Sequence, residues 1–79
     1  NFKAYFDNNA INLTTDITEI EEWHGADIVV FKQHLGIISD KRNRKGICFV
    51  IHHANPYQIY YEEDILEHRD DIIGHYRIS

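Results

Sequence analysis

Histidines at the two ends of a predicted hairpin are the residues of this chain best suited to acid–base chemistry. The stretch HLGIISDKRNRKGICFVIHH, from His34 to His53, reads as an apolar strand, a charged turn and a second apolar strand. When such a stretch folds back on itself its ends meet, and directly opposed side chains have Cβ atoms about 4.5–5.5 Å apart. Imidazoles at that spacing can form catalytic machinery, bind a metal, or simply end two strands.

The pairing register decides which histidine meets His34. If Asp40 pairs with Gly46, His34 faces His52, and if the turn is one residue tighter it faces His53. Neighbouring residues of a strand point to opposite faces of the sheet, so only one of the two can share a face with His34. The pattern alone leaves both registers open.

Cys48 is the sole cysteine, so an internal disulfide is impossible and no other thiol of the chain could act as a nucleophile. On an extended strand it lies roughly 13 Å from His52, at ~3.3 Å per residue. Its predicted cross-strand neighbour is Ile38 or Ser39 rather than a histidine. A thiol needs a base within hydrogen-bonding reach, so we predict that Cys48 is a small buried hydrophobic residue.

Six histidines in 79 residues also raise the question of a metal site. Zinc ligands usually come at tight spacings such as His-x-x-x-His with a third ligand nearby. Here two histidines are adjacent on a strand and diverge, and the others are scattered. We therefore predict no metal and no cofactor, with a histidine metal site as the weaker alternative. Loop-packing, helix-end and strand-margin roles are expected for His24, His68 and His75, respectively.

The charge distribution argues against nucleic acid as a partner. The net charge is −5, whereas proteins that bind nucleic acid present an excess of positive charge. Half of the eight basic residues lie in the hairpin turn, at Lys41, Arg42, Arg44 and Lys45. We interpret them as a solvated loop tip, with a site for an anionic ligand as the alternative. Apolar runs of four to six residues are also far shorter than the ~20 needed to span a bilayer.

The elements that must position the histidines follow from the hydrophobic pattern. The spacing of Phe2, Tyr5 and Phe6 predicts an N-terminal helix, and a threonine-rich loop with one helical turn follows it. A short helix is predicted over EEDILEHRDD. Strands are predicted over DIVVF, HLGIIS, ICFVIHH, YQIYY and IIGHYRI. This order predicts an α+β fold built on a small, strongly bent antiparallel sheet, with residues 1–79 as one domain.

Four motifs in order resemble an uncharacterised bacterial family related to the NlpC-type papain-like cell-wall cysteine hydrolases. They are WHGADIVVF, HLGIISDKRNRKG, VIHH and GHYRI. The resemblance covers the chain from Trp23 onward, and NFKAYFDNNA also resembles the helix that precedes this block. The chain departs from the family pattern at Ala26 (usually glycine), Leu35 (isoleucine), Cys48 (more often proline) and His53 (asparagine).

The resemblance implies roles for the hairpin histidines. His34 matches the general base and His52 the residue that orients it, which selects the register in which these two face each other; His53 is the alternative orienting residue. The family's nucleophile lies upstream of these motifs, and no cysteine precedes His34. The chain also begins without methionine. We therefore expect it to be the C-terminal, half-barrel portion of a larger papain-like hydrolase domain, inactive by itself.

The resemblance further implies a peptide or peptidoglycan-like substrate and a location in the bacterial cell envelope or outside the cell. A non-catalytic binding module derived from the same fold is the alternative function. Loss of the nucleophile helix would expose apolar sheet surface. We expect self-association or an upstream segment to cover that surface.

Overall fold

An α-helix and a six-stranded antiparallel sheet make up the α+β fold of this protein. The computed structural model describes residues 2–53, 56–59 and 61–78. The elements are α1 (Phe2–Asn9), β1 (Ile11–Asn12), β2 (Ile28–Phe31), β3 (His34–Arg42), β4 (Cys48–Ile51), β5 (Glu62–Glu63) and β6 (Ile72–Arg77), with 3₁₀ turns at Ile20–Glu22 and Leu66–His68. The strands lie in the order β1-β6-β2-β3-β4-β5.

Strand β2 runs through the middle of the sheet and is buried on both faces. Its sequence IVVF is apolar at every position, as expected for a strand covered on two sides, and all four residues are buried. Val29 and Phe31 join the larger core on one face, which also contains Trp23. Val30 packs on the other face with Tyr76 of β6.

Helix α1 covers the second face of the sheet. Phe6 stacks on Tyr76 with ring centroids 5.5 Å apart, and the Tyr76 hydroxyl donates a hydrogen bond of 2.6 Å to Asp7. The side-chain amides of Asn8 and Asn9 bond back to carbonyls of the preceding turn, and the helix ends at Asn9.

The register of the β3–β4 hairpin differs from both predicted registers. Ile37 pairs with Ile51 and Ile38 with Val50, whereas Arg42 pairs with Cys48. Between the last two pairs β3 advances four residues and β4 only two, so the hairpin contains a bulge. Continued by one step, the register near the open end places His52 opposite Gly36 rather than opposite His34. The prediction that Cys48 lies opposite Ile38 or Ser39 was also wrong.

The segment after β4 forms less regular structure than predicted. Tyr57, Gln58 and Ile59 lie outside any strand, so the strand predicted over YQIYY was wrong for its described residues. Tyr60 lies outside the described part. Strand β4 instead pairs with the short strand β5, in which Glu63 lies opposite Val50. The predicted helix is reduced to the 3₁₀ turn at Leu66–His68, whose buried Leu66 joins the core.

Four predicted strands, β2, β3, β4 and β6, are confirmed as strands, and β1 was not predicted. With only Ile11 and Asn12, β1 is too short to show a period, and its pairing partner is the distant β6. Among the described residues, no helix has the length and apolar character needed to cross a membrane.

Candidate functional site

His34 and His52 meet at the open end of the β3–β4 hairpin. Nε2 of His34 lies 2.7 Å from Nδ1 of His52, and the rings meet edge to face with centroids 4.9 Å apart. Since the register sets Gly36 opposite His52, the two imidazoles contact each other diagonally across the strands. Diagonal neighbours are within reach of aromatic side chains.

Gly36 allows this close approach. A Cβ atom built on Gly36 would lie 2.4 Å from a methyl carbon of Val50 and 3.4 Å from Cβ of His52. Any side chain at position 36 would therefore push β4 away from β3. The glycine of HLGII is thus required by the geometry that joins the histidines.

Glu63 extends the histidine pair on the far side of His52. Its Oε1 lies 2.7 Å from Nε2 of His52, and the amide of Gln58 donates to the carbonyl oxygen of His52. His52 is only 8% exposed, and Glu63 is half-buried. The sequence analysis did not select Glu63, because the strand that carries it has two residues and no readable period.

The surroundings of His34 favour its neutral form. Its ring stacks on the ring of Phe31, with centroids 5.8 Å apart. The guanidinium of Arg69 lies over the Phe31 ring, 4.3 Å from its centroid. Burial, followed by His52 and Arg69, lowers the pKa of His34 below its usual 6.5, while Asp71 acts in the opposite direction. A lowered pKa keeps the imidazole unprotonated at neutral pH, as a general base must be.

Nδ1 of His34 is the free acceptor of the pair. Among the described residues no hydrogen-bond partner lies at this nitrogen, whereas Nε2 is engaged by His52. His53, the alternative orienting residue, is exposed and contacts the ring of Tyr61 at 5.2 Å instead. The structure therefore brings His34 together with His52 and not with His53.

Cys48 is far from this chemistry. It is 1% exposed, its sulfur lies 3.7 Å from the carbonyl oxygen of Trp23, and its strand partner is Arg42. Burial raises the pKa of the thiol, which disfavours the reactive thiolate. The prediction of a buried structural cysteine is confirmed.

The remaining histidines and the basic turn serve other contacts. His24 is exposed and bonds to the carbonyl of Glu21, and His68 ends a 3₁₀ turn. In the part of the chain that the structure describes, no group of three or more metal-ligating side chains is found. At the turn, Arg42 donates to the carbonyl oxygen of Gly46 in the same hairpin and to those of Ile20 and Trp23 in the distant 3₁₀ segment.

A second histidine, His75, was misjudged. The sequence predicted a strand-margin residue, but His75 is 1% exposed and lies beside Asp27, which is equally buried. Nε2 of His75 is 2.7 Å from Asp27, and Nδ1 is 2.7 Å from the carbonyl oxygen of Thr14. Arg77 also donates two bonds of 2.8 Å to Asp27. Strand β6 lies between β1 and β2 in the sheet, which the sequence could not show.

Both nitrogens of His75 face oxygen atoms that only accept hydrogen bonds. The two contacts can be satisfied together only when both nitrogens carry protons. The ring also lies flat on Trp23, with centroids 3.7 Å apart and planes within 5°. Burial opposes ionisation of Asp27, but the bonds from Arg77, the His24 backbone and His75 outweigh it and lower the pKa to about 2.

A groove of about 970 Å³ lies between α1 and the β2–β3 connection. Its lining includes Phe6, Val30, Leu35 and Ile73, together with the polar ends of Lys32 and other side chains. It contains neither His34 nor His52, so it is an apolar surface separate from the histidine pair.

Comparison with known families matches residues 1–78 to a domain of unknown function, DUF1287. The match spans nearly the whole chain, so the protein belongs to this family. Neither the curated proteins nor the solved structures gave a match.

Proposed function

We propose that this member of the DUF1287 family supplies the base of a papain-like cysteine amidase or peptidase. The observation that carries the proposal is the contact of 2.7 Å between His34 and His52, made through the ring nitrogen of His34 that leaves Nδ1 free. In this assignment His34 is the general base and His52 the residue that orients it. We assign the six-stranded sheet as the half-barrel of that fold, because the sequence motifs resemble those of NlpC-type hydrolases.

The proposed reaction needs a thiol supplied from outside these 79 residues, since Cys48 is buried and has no histidine partner. The thiol gives its proton to Nδ1 of His34, and its sulfur attacks the carbonyl carbon of an amide. The amine leaves with the proton from His34, and water then hydrolyses the thioester. Peptide amides, including those of bacterial peptidoglycan, are the proposed substrates.

A binding module without catalysis is the second candidate. The observation that favours it is that the single thiol of this chain is sealed in the core. Such a module would hold a peptide beside His34 without cleaving it.

Hydrolysis by the full-length protein tests the proposal. Purified peptidoglycan peptides are incubated with the protein, and new amino termini are measured by mass spectrometry. We expect His34→Ala to lower the rate by roughly 10²–10⁴-fold, the usual contribution of a general base. His53→Ala is the matched control and should retain the rate, because His53 is exposed and turned toward Tyr61.

Two results would contradict the amidase proposal. One is full activity in His34→Ala, and the other is inactivity of the unaltered protein combined with measurable peptide binding. The latter result would favour the binding module. Inactivation by iodoacetamide and insensitivity to a metal chelator are the further results expected of a thiol hydrolase.

A further inference from the structure

His52 lies between His34 and Glu63, and both of its ring nitrogens are engaged. Nδ1 is 2.7 Å from Nε2 of His34, and Nε2 is 2.7 Å from Oε1 of Glu63. Because His52 is buried, a ring nitrogen left without a partner would be costly. The three side chains form one hydrogen-bonded chain in which each proton position depends on the next.

When the Glu63 carboxylate is ionised and both imidazoles are neutral, only one arrangement of protons satisfies both hydrogen bonds of this series. An ionised carboxylate only accepts hydrogen bonds, so Nε2 of His52 carries a proton. A neutral imidazole has a single N–H, so Nδ1 of His52 is bare and accepts a bond from Nε2 of His34. The other nitrogen of His34, Nδ1, then holds a lone pair.

We infer that Glu63 is a positioning residue that, through His52, holds His34 in the tautomer with a bare Nδ1. Without this acceptor, His52 could carry its proton on Nδ1 and donate it to His34. His34 would then carry its own proton on Nδ1 and could not act as a base there. The catalytic meaning of the inference rests on the proposed function, since a bare Nδ1 serves catalysis only where a thiol faces it.

Two contacts hold the Glu63 carboxylate in this role. The backbone of Glu63 pairs with Val50 of β4, which fixes the position from which the Glu63 side chain extends. The amide of Gln58 donates to the same oxygen at 3.4 Å, so that oxygen faces two donors. The neighbouring Glu62 instead accepts a hydrogen bond from Ser39, and among the described residues its side chain has no hydrogen bond to a histidine.

The tautomers can be read directly by NMR on the full-length protein labelled with ¹⁵N at histidine. Above the histidine titration range, the ring ¹⁵N shifts distinguish a protonated nitrogen from a bare one. We expect His34 and His52 both to be protonated at Nε2. We also expect a scalar coupling from Nε2 of His34 to Nδ1 of His52 across the hydrogen bond. Protonation of His34 at Nδ1 in the unaltered protein would overturn the inference.

Two substitutions separate the hydrogen bond from the charge. Glu63→Met removes the acceptor, and we expect the Nδ1-protonated tautomer of His34 to become populated. Glu63→Gln removes the charge but keeps an oxygen for Nε2 of His52, so the tautomer of His34 should be restored. Glu62→Met is the matched control and should leave both rings unchanged. An unchanged tautomer in Glu63→Met would refute the positioning role.

This experiment needs neither substrate nor turnover, so its outcome is independent of the hydrolysis assay. Correct tautomers without hydrolysis would leave the Glu63 inference standing and remove the amidase proposal. If hydrolysis is found, Glu63→Met should lower kcat with KM unchanged, and Glu63→Gln should recover most of the loss. A change confined to KM would contradict positioning of the base.

Discussion

Two histidines, His34 and His75, lie on the same face of the sheet and differ in what surrounds them. His34 and His75 are the strand partners of Phe31 and Val29, two positions apart on β2. The His34 side continues to His52 and the half-exposed Glu63, and among the described residues Nδ1 of His34 has no hydrogen-bond partner. His75 has both nitrogens bonded and lies in the core against Trp23.

The difference shows that a histidine is a candidate general base only when one of its ring nitrogens remains available. His75 joins the segment around Thr14 to β6 and anchors Asp27 together with Arg77, so both of its nitrogens stabilise the fold. His34 bonds to His52 through Nε2, and among the described residues its Nδ1 has no hydrogen-bond partner. The number of occupied nitrogens therefore separates the anchor from the candidate base more clearly than residue type does.

The strongest test of this contrast is the loss of each carboxylate in turn. Asp27→Asn leaves His75 and Arg77 without their charged partner, and removal of one member of a buried pair costs about 3–5 kcal/mol of unfolding free energy. Glu63 has a side chain 41% exposed, so Glu63→Gln should cost less than about 1 kcal/mol. Urea unfolding followed by the fluorescence of Trp23 measures both. Equal losses would contradict the assignment of one anchor and one open site.

A smaller effect is expected on acidification. The pKa of Asp27 is about 2 in the folded protein against a usual value near 3.9. A lowered folded-state pKa stabilises the protein above the unfolded value, and this contribution is lost as the pH falls from about 4 to 2. The loss from Asp27 is about 2 kcal/mol. Carboxyl ¹³C shifts of Asp27 should show a midpoint near 2, and a midpoint at the usual value would refute the anchor.

Relief of backbone strain beside Asp27 should give a gain of about 1 kcal/mol. Ala26 has a φ of 73°, in the left-handed region that favours glycine. We therefore expect Ala26→Gly to raise the free energy of unfolding while leaving the titration of His34 unchanged. Ala4→Gly on the exposed side of α1 is the control and should destabilise, because glycine weakens a helix. A change in His34 would show that the two regions are coupled.

The smallest effect concerns the environment of His34. Arg69 contributes less than burial and His52 to the lowered pKa of His34. Arg69→Gln should therefore raise that pKa, and Asp71, left without its guanidinium partner, acts in the same direction. Histidine NMR titration measures the shift. Arg44→Gln, in the turn after β3, is the control and should leave the pKa of His34 unchanged. A fall in the pKa of His34 in Arg69→Gln would contradict the expected electrostatics.

Local patterns predicted the elements whose signal lies in their own residues. IVVF of β2, IIGHYR of β6 and the aromatic spacing of α1 are such cases, and so is the burial of Cys48. The hairpin register was wrong because a bulge between Ile38 and Arg42 leaves no mark in the hydrophobic pattern. The two histidines meet in spite of that error, since long rings reach a diagonal neighbour.

The residues that sequence reasoning missed depend on distant partners. Glu63 becomes relevant only through a two-residue strand that pairs with β4. Asp27 and His75 are 48 residues apart in the chain, and their contact follows from the pairing of β2 with β6. The one local sign of this contact is Asp27, an acidic residue directly before the apolar strand IVVF. That sign does not identify His75 as its partner.

The strand order also constrains how the chain can fold during synthesis. β6 is made after all the other strands, yet it lies between β1 and β2. Until it emerges, the β2–β3–β4 ribbon can form, but one edge of β2 presents unpaired backbone groups and apolar side chains, a known template for aggregation. Completion of the sheet must wait for residues 72–77, and a chain stalled before them would depend on chaperones to stay in solution.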